Sequence, residues 1–264
     1  MGILQGKKIL VTGVTAESSL PYHVARVAQS EGATVLVSCT GRVMSKGLEA
    51  VQGLNPVPEM IELDVTDTAQ LDGLADVVKE KLGLLDGLVH ATDMTNPLVD
   101  PSSPLKTMGG SFMTSTWEDI RNSFQVSAYS LVALVRACLP VLKRGSSVVS
   151  TTIDGTVSWP AYDWMGVTKS SLEAISRYVA RYIAPRGVRS NLVATGPINT
   201  DSKQNLPGLE AFDAQWAEMA PLGWDINDHQ PAAQAVVALL SDWFPKTTGD
   251  IFYVDGGVHS AGPS

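Results

Sequence analysis

The chain has 264 residues and a formal net charge of −8 at pH 7. This acidic balance argues against non-specific binding to nucleic acids or membranes, because both require a basic surface. Apolar residues make up 44% and charged residues 17% of the sequence, which excludes a disordered chain and is ordinary for one globular domain of this length. No apolar run could span a bilayer or serve as a signal region, so we expect a cytoplasmic location.

Short β-branched runs alternate with longer segments of helical periodicity along the chain. Strands are predicted at residues 8–12, 34–38, 58–63, 87–91, 147–151, 189–194 and 251–254. Helices are predicted at residues 21–31, 68–82, 116–142, 162–186 and 231–243. Strands that are apolar throughout and alternate with helices indicate a parallel sheet covered on both faces. The expected fold is therefore α/β, a Rossmann-type doubly wound parallel sheet that forms a single domain over residues 1–264.

Two stretches interrupt this alternation. Residues 94–115 are rich in Pro, Ser, Thr and Gly and read as a long loop after the fourth strand. Residues 198–223 follow the sixth strand and contain a short amphipathic segment at residues 209–219. Ligands of such folds bind beyond the carboxyl ends of the strands, so both stretches are candidates for lids and substrate walls. The two cysteines, Cys39 and Cys138, lack metal-ligand spacing and are expected to be buried thiols.

The first predicted strand ends at a glycine. A glycine such as Gly13, at a strand-to-helix turn, lets the backbone approach a pyrophosphate, and the following helix offers unpaired N–H groups. The turn lacks the three-glycine dinucleotide fingerprint, and Ser18 or Ser19 is alternatively an ordinary helix cap. The residues of this turn alone do not distinguish a phosphate-binding turn from an ordinary helix start.

The ends of the second and third predicted strands leave the cofactor choice open. Asp64 closes the third strand, where a carboxylate either accepts a hydrogen bond from an adenine amino group or begins a turn. The second strand ends in Cys39, Thr40, Gly41 and Arg42, which include no acid for an adenosine-ribose 2′-hydroxyl. Arg42 either faces a 2′-phosphate or is an ordinary solvated arginine.

Tyr162 and Lys169 are seven residues apart, so two helical turns place them on one face of the fourth predicted helix. A tyrosine hydroxyl can stabilise charge that develops on a substrate carbonyl oxygen, and a nearby ammonium can hold a cofactor ribose. A surface lysine beside a partly buried tyrosine is the alternative that the spacing leaves open.

The run Tyr162-x6-Lys169 resembles the catalytic signature of the enoyl-acyl-carrier-protein reductases, divergent members of the short-chain dehydrogenase superfamily. The similarity covers almost the whole chain, and it most resembles the NADH-dependent actinobacterial branch. Further matching motifs lie at residues 6–13, 62–65, 85–90, 126–130, 188–198, 220–224, 239–243, 247–250 and 254–257. The alcohol and ketone enzymes of the superfamily use a tyrosine four residues before the lysine. Met165 stands there instead, which favours a C=C reductase over a ketoreductase.

The resemblance implies hydride transfer to the β-carbon of an α,β-unsaturated thioester carried by acyl carrier protein or coenzyme A. Tyr162 would bind the thioester carbonyl oxygen and stabilise the enolate, while Lys169 would hold the nicotinamide ribose. NADH is the implied cofactor, NADPH stays open, and no metal is implied. The implied cofactor-binding residues are Gly13, Val14, Ser19, Leu20, Thr40, Asp64, Val65, Ala91, Thr92, Asp93, Val126, Lys169, Gly196, Pro197, Ile198 and Thr200. The implied substrate residues are Ile153, Tyr162, Leu206, Phe212 and Trp216.

The chain departs from the family pattern mainly on the cofactor side. Asp93 stands where a glycine is usual, Thr152 and Ile153 replace an acid and a phenylalanine, and Thr40 replaces an aromatic residue near the adenine. Pro21 replaces a small residue, and proline is well tolerated in a first helical turn. We interpret the chain as a paralogue with altered cofactor and acyl preference.

Two alternatives are a reductase repurposed for another small molecule in specialised metabolism and a non-catalytic paralogue with impaired dinucleotide binding. The lid at residues 201–220 looks shorter than in relatives that accept very long acyl chains, which predicts a short-to-medium acyl preference. Its apolar stripe is either an acyl wall or a core or oligomer contact, and it comprises Leu206, Leu209, Phe212, Trp216 and Met219. The resemblance also implies a homotetramer, assembled through residues 251–254 and the preceding helix.

Overall fold

One parallel sheet organises the computed structural model, which describes residues 1–92, 107–160, 162–200 and 209–261. Its strands are Lys8–Thr12 (β1), Thr34–Cys39 (β2), Glu59–Glu62 (β3), Leu85–His90 (β4), Leu142–Thr152 (β5), Arg189–Thr195 (β6) and Ile251–Val254 (β7). They lie in the order β3-β2-β1-β4-β5-β6-β7, and every neighbouring pair is parallel. The strand order reverses between β1 and β4, which is where open sheets of this kind form a ligand crevice.

Helices cover both faces of the sheet. They are Leu20–Ser30 (α1), Met44–Ala50 (α2), Thr68–Lys81 (α3), Trp117–Phe124 (α4), Ser130–Cys138 (α5), Asp163–Ile183 (α6), Leu209–Met219 (α7), Gln230–Leu240 (α8) and Val258–Ala261 (α9). One core layer joins α1 and α8 to the sheet, and a second layer joins α3, α5 and α6 to its other face. The predicted doubly wound α/β fold is therefore confirmed.

The side chains of β1 explain why its sequence is apolar throughout. Ile9 and Val11 pack into the layer of α1 and α8, whereas Leu10 packs into the layer of α3, α5 and α6. Because successive side chains of a strand point to opposite faces, a central strand between two helical layers needs apolar residues at every position. Both cysteines are buried free thiols, as expected.

The predicted helix at residues 116–142 is wrong in its continuity and its end. The structure divides it into α4, a π-helical segment at Gln125–Tyr129 and α5, and Leu142 already belongs to β5. Pro140 follows α5 closely and cannot continue a helix, because it lacks an N–H group. The short helices α2 and α9 were not predicted, since a segment of four to seven residues contains too few turns for its periodicity to register. Within the described residues, no helix has the length and apolar character that a membrane crossing requires.

Candidate active site

The carboxyl ends of the parallel strands bring many of the predicted site residues to one edge of the sheet, which we call the carboxyl edge. Gly13 follows β1 with a φ of +85°, and a Cβ at this position would collide with the Ala91 carbonyl oxygen beyond β4. The Thr12 hydroxyl donates to the Val89 carbonyl and accepts from the Ala91 N–H. Only glycine permits this close approach, which leaves the crevice floor open to a ligand.

The start of α1 is built to present backbone N–H groups. Ser19 occupies the N-cap position, but its side chain makes no capping hydrogen bond, and its hydroxyl donates to the Ala16 carbonyl at 2.6 Å. Leu20 is buried, and Pro21 lies in the first turn, where its missing N–H costs nothing. The helix dipole therefore reinforces a concavity suited to an anion.

The ends of β2 and β3 bring together the residues that were predicted to bind adenosine. The Thr40 hydroxyl is buried and has no hydrogen-bond partner among the described residues. Asp64 begins a turn, since its Oδ1 accepts from the Thr66 N–H and hydroxyl, and Asp67 is the residue that caps α3. Val65 is buried beside this turn.

Glu62 supplies an acid that the sequence did not place at this side. β2 and β3 align Cys39 with Glu62, and a Cβ on Gly41 would meet the Glu62 carboxylate. The end of β2 contains no acid of its own, but the neighbouring strand β3 brings one there. Arg42 lies in the exposed turn that follows.

A buried polar network lies under the crevice and was not predicted. Nδ1 of His90 lies 2.5 Å from the Ser150 hydroxyl, and Nε2 lies 2.8 Å from the Ser130 hydroxyl and 3.0 Å from that of Thr92. The Thr92 and Ser130 hydroxyls both donate to the Val126 carbonyl in the π-helical segment. Desolvation, together with the positive charge on Lys169, lowers the pKa of His90 to about 3. The ring is therefore neutral at physiological pH, and it joins β4, β5 and α5.

The predicted catalytic pair is buried. Tyr162 immediately precedes α6 and is 8% exposed, whereas Lys169 lies within α6 and is 4% exposed. The surface-lysine alternative is therefore wrong. The positive charge of Lys169 acts on the buried His90 ring and lowers its pKa. Met165, between the pair, is buried in the same apolar cluster as Tyr162.

Tyr162 is one of four rings that form an aromatic cluster. The ring centroids of Tyr162 and Phe212 are 5.2 Å apart, and Phe212 and Trp216 are 5.4 Å apart. Trp159 stands 4.7 Å from Trp216 and completes the cluster, against which Ile153 packs. Of the predicted substrate residues, Ile153, Tyr162, Phe212 and Trp216 therefore lie together in this cluster. Helix α7 contacts Tyr162 directly through Phe212.

The residues after β6 approach two tryptophans. A Cβ on Gly196 would come within 3 Å of Trp216 and Trp224, and the indole N–H of Trp224 donates to the Pro197 carbonyl at 2.7 Å. Ile198 packs against the core, and Thr200 is partly buried. Trp224 belongs to a motif that carried the resemblance, but its role as a support for this turn was not predicted. Asp93 and Leu206 lie outside the described residues.

Asp163 and Trp164, which follow Tyr162, contact the loop at residues 107–116 and hold it in place. Oδ2 of Asp163 accepts hydrogen bonds from the N–H groups of Gly110 (2.6 Å) and Ser111 (2.9 Å). The next residue, Trp164, stacks on Phe112 and donates its indole N–H to the Phe112 carbonyl. We call these contacts the Asp163 latch.

A second concavity lies on the outer surface, between α4 and α6. It encloses about 530 Å³ and is lined largely by apolar side chains, including Trp117, Phe124, Tyr129, Trp164 and Val167. Trp117 is 73% exposed, which is unusual for so large an apolar side chain and is typical of a contact surface.

Comparison with known proteins identifies the family. A model described as enoyl-(acyl carrier protein) reductase matches residues 13–259. Proteins named enoyl-acyl-carrier-protein reductase (NADH) from Mycolicibacterium smegmatis and Mycobacterium avium are each 38% identical to this chain, over 97% of both sequences. A protein of the same name from Rickettsia prowazekii is 31% identical over 100% of this chain and 98% of its own length. The chain therefore belongs to the enoyl-(acyl carrier protein) reductase family.

Proposed function

We propose that this protein reduces the C=C bond of an α,β-unsaturated acyl thioester, carried by acyl carrier protein, with NADH as the hydride donor. The observation that carries the proposal is the burial of both Tyr162 and Lys169 in a fold whose first strand ends in a glycine turn that permits close backbone approach. The names of the relatives state the same reaction and cofactor. We propose coenzyme A thioesters as a second carrier form.

The residues of the crevice fit a dinucleotide. A Cβ at position 13 would collide with the Ala91 carbonyl oxygen, so only glycine keeps this turn close to the end of β4, and the first turn of α1 offers N–H groups that suit phosphate oxygens. The buried Thr40 hydroxyl lacks a partner among the described residues and suits a polar group of the adenosine. We assign Gly13, Val14, Ser19 and Leu20 to the pyrophosphate. Thr40, Asp64 and Val65 are assigned to the adenosine, and Ala91, Thr92, Val126, Gly196, Pro197, Ile198 and Thr200 to the remainder of the cofactor.

In this proposal Tyr162 donates a hydrogen bond to the thioester carbonyl oxygen. Negative charge grows on that oxygen as the β-carbon accepts the hydride that NADH supplies, and a buried donor stabilises it more strongly than water would. Lys169 holds the nicotinamide ribose and contributes positive charge to the same region. A proton from solvent water then adds to the α-carbon and completes the saturated thioester.

The aromatic cluster forms the acyl wall and limits chain length. Phe212 and Trp216 are 3% and 2% exposed and pack next to Tyr162, so they occupy space that a longer acyl chain would need. Ile153 leaves more room at the cofactor side than the usual phenylalanine. We therefore propose a short-to-medium acyl preference.

We also propose that the protein assembles as a homotetramer. β7 is the edge strand of the sheet, and all four of its residues are partly exposed, so its outer edge is open to another copy. The apolar concavity between α4 and α6 offers a second contact surface. Light scattering of the purified protein, with Trp117→Glu as the disruptive variant, tests this assembly, and a monomeric wild-type protein would contradict it.

Dinucleotide binding and turnover together test the function. We expect the purified protein to bind NADH more tightly than NADPH and to oxidise NADH when a short trans-2-enoyl thioester is added. Tyr162→Phe should retain NADH binding and lose most of its turnover, whereas Tyr182→Phe, an exposed tyrosine of the same helix, should behave like wild type. Binding without turnover would favour a reductase of another substrate. Failure to bind either dinucleotide would favour a non-catalytic paralogue.

A further inference from the structure

Asp163 has an unfavourable backbone conformation. Among the described residues it is the one non-glycine residue with a positive φ, at 45°, and it directly follows Tyr162. The left-handed region costs an L-residue roughly 1–2 kcal/mol, although aspartate and asparagine tolerate it better than most. Such a conformation persists when surrounding contacts fix it, and it often accompanies a functional site.

The contacts that fix Asp163 come from the 107–116 loop. A single carboxylate oxygen, Oδ2, accepts from the N–H groups of both Gly110 and Ser111. Hydrogen bonds from backbone N–H groups to an ionised carboxylate are about twice as strong as those between neutral groups. The stacking of Trp164 on Phe112, with a centroid distance of 4.9 Å, fixes the same loop from the next residue of α6.

The same loop carries a side chain of the substrate side. Met108 is 5% exposed and is buried in the apolar cluster that contains Tyr162, Met165 and Phe212. The Asp163 latch thus controls two things at once: the backbone immediately after Tyr162 and the placement of Met108 near its ring.

We propose that Asp163 is a positioning residue for thioester reduction. Through the Asp163 latch, it fixes the direction in which Tyr162 presents its hydroxyl, and it holds Met108 in the wall beside it. The role rests on the proposed function, because it concerns the reaction in which Tyr162 takes part. Asp163 acts through its neighbours, so its loss should lower kcat while leaving NADH affinity, which depends on the crevice at β1 and α1, unchanged.

Three substitutions separate the hydrogen bonds from the backbone conformation. Asp163→Asn keeps one acceptor oxygen and suits the left-handed region. Asp163→Gly keeps the conformation but removes the acceptor, and Asp163→Ala removes both. The control is Asp119→Ala, which removes the carboxylate of the capping box that begins α4. Each variant is measured for kcat and KM with a short enoyl thioester, for NADH affinity, and for hydrogen exchange at the Gly110 and Ser111 amides.

The expected pattern is specific to positioning. Asp163→Asn should stay within about threefold of wild type, and Asp163→Gly should lose about tenfold or more in kcat, since small misplacements of reacting groups cost this much. Exchange at the two amides should accelerate in Asp163→Gly but not in Asp163→Asn or Asp119→Ala. A kcat in Asp163→Gly equal to that of wild type would overturn the positioning role of Asp163 and leave the proposed function intact. This test holds even if Asp163→Ala fails to fold. Absence of turnover in the wild-type protein would instead reject the proposed function, and this role with it.

Discussion

The imidazole of His90 and the hydroxyl of Ser150 lie 2.5 Å apart, which joins the ends of β4 and β5 through a buried hydrogen bond. The ring is 1% exposed, and the charged group that acts on it is Lys169 of α6. A proton added to this ring would face desolvation and a like charge, which explains why its pKa falls to about 3. The network therefore stabilises the site only while His90 is neutral.

This pKa predicts acid sensitivity. The folded-state pKa lies below the value near 6.5 in the unfolded chain, so the unfolded state binds more protons between pH 6.5 and 3. His90 should therefore reduce the free energy of unfolding by about 1.4 kcal/mol for each pH unit below 6.5. Urea unfolding at pH 6.5 and 5.0 should show a smaller loss in His90→Gln than in wild type. His23, whose pKa is lowered to about 4, adds a similar slope that remains in this variant. Identical slopes in both proteins would contradict the assignment.

Substitution of Gly13 should weaken dinucleotide binding. Gly13→Ala combines an unfavourable positive φ with a collision against the Ala91 carbonyl, so both the turn and the crevice floor must move. Gly145→Ala is the matched control, because Gly145 has a φ of 93° but nothing within 4 Å of an added Cβ. We expect both variants to lose about 1 kcal/mol of stability or more. Gly13→Ala alone should weaken NADH binding, by at least about tenfold. Fluorescence titration and thermal unfolding measure the two effects, and tight NADH binding by Gly13→Ala would exclude the crevice as the pyrophosphate site.

The Glu62 carboxylate should disfavour NADPH. It lies against Gly41 at the end of β2, where the 2′-position of an adenosine ribose is expected, and it would repel a 2′-phosphate. Glu62→Gln should lower the ratio of the NADPH dissociation constant to the NADH dissociation constant about tenfold, an effect of roughly 1.4 kcal/mol. Glu59→Gln removes the same charge at the far end of β3, where Glu59 pairs with Lys81, and should leave the ratio unchanged. If Glu62→Gln leaves this ratio unchanged, residues other than Glu62 determine the preference for NADH over NADPH.

Truncation of Phe212 should lengthen the preferred acyl chain. Phe212→Ala removes the ring that packs edge-on against Tyr162 and opens space along α7. The ratio of kcat/KM for a long and a short enoyl thioester should rise, at a cost of about 3–5 kcal/mol in stability. Phe252→Ala, which breaks a similar edge-to-face pair with Phe244, controls for loss of an aromatic contact. If the ratio stays constant, Phe212 belongs to the core alone.

The sequence-based predictions were accurate where periodicity was strong. β1 and β7 have their predicted bounds, and α7 was found from its amphipathic spacing alone. The pair Tyr162 and Lys169 was named from the family resemblance, because their spacing alone left a surface lysine open.

The features that sequence reasoning missed depend on contacts between distant segments. Glu62 reaches the end of β2 only through strand pairing, and His90 meets Ser150 across 60 residues of chain. Asp163 could not be recognised either, because neither its left-handed φ nor its loop partners leave a trace in local periodicity. The assignments of Asp93 and Leu206 fall outside the described residues and stay predictions.

The π-helical segment at Gln125–Tyr129 has a consequence for how this chain tolerates change in length. A π-bulge is equivalent to one residue inserted into an α-helix, and each residue turns a helix by about 100°. Deletion of a single residue there would let α4 and α5 merge into one regular helix, but it would rotate Ser130 away from His90 and withdraw the Val126 carbonyl. The helix would become more regular and the site would lose its support. Length variation within this family should therefore be opposed in the five residues that join α4 to α5.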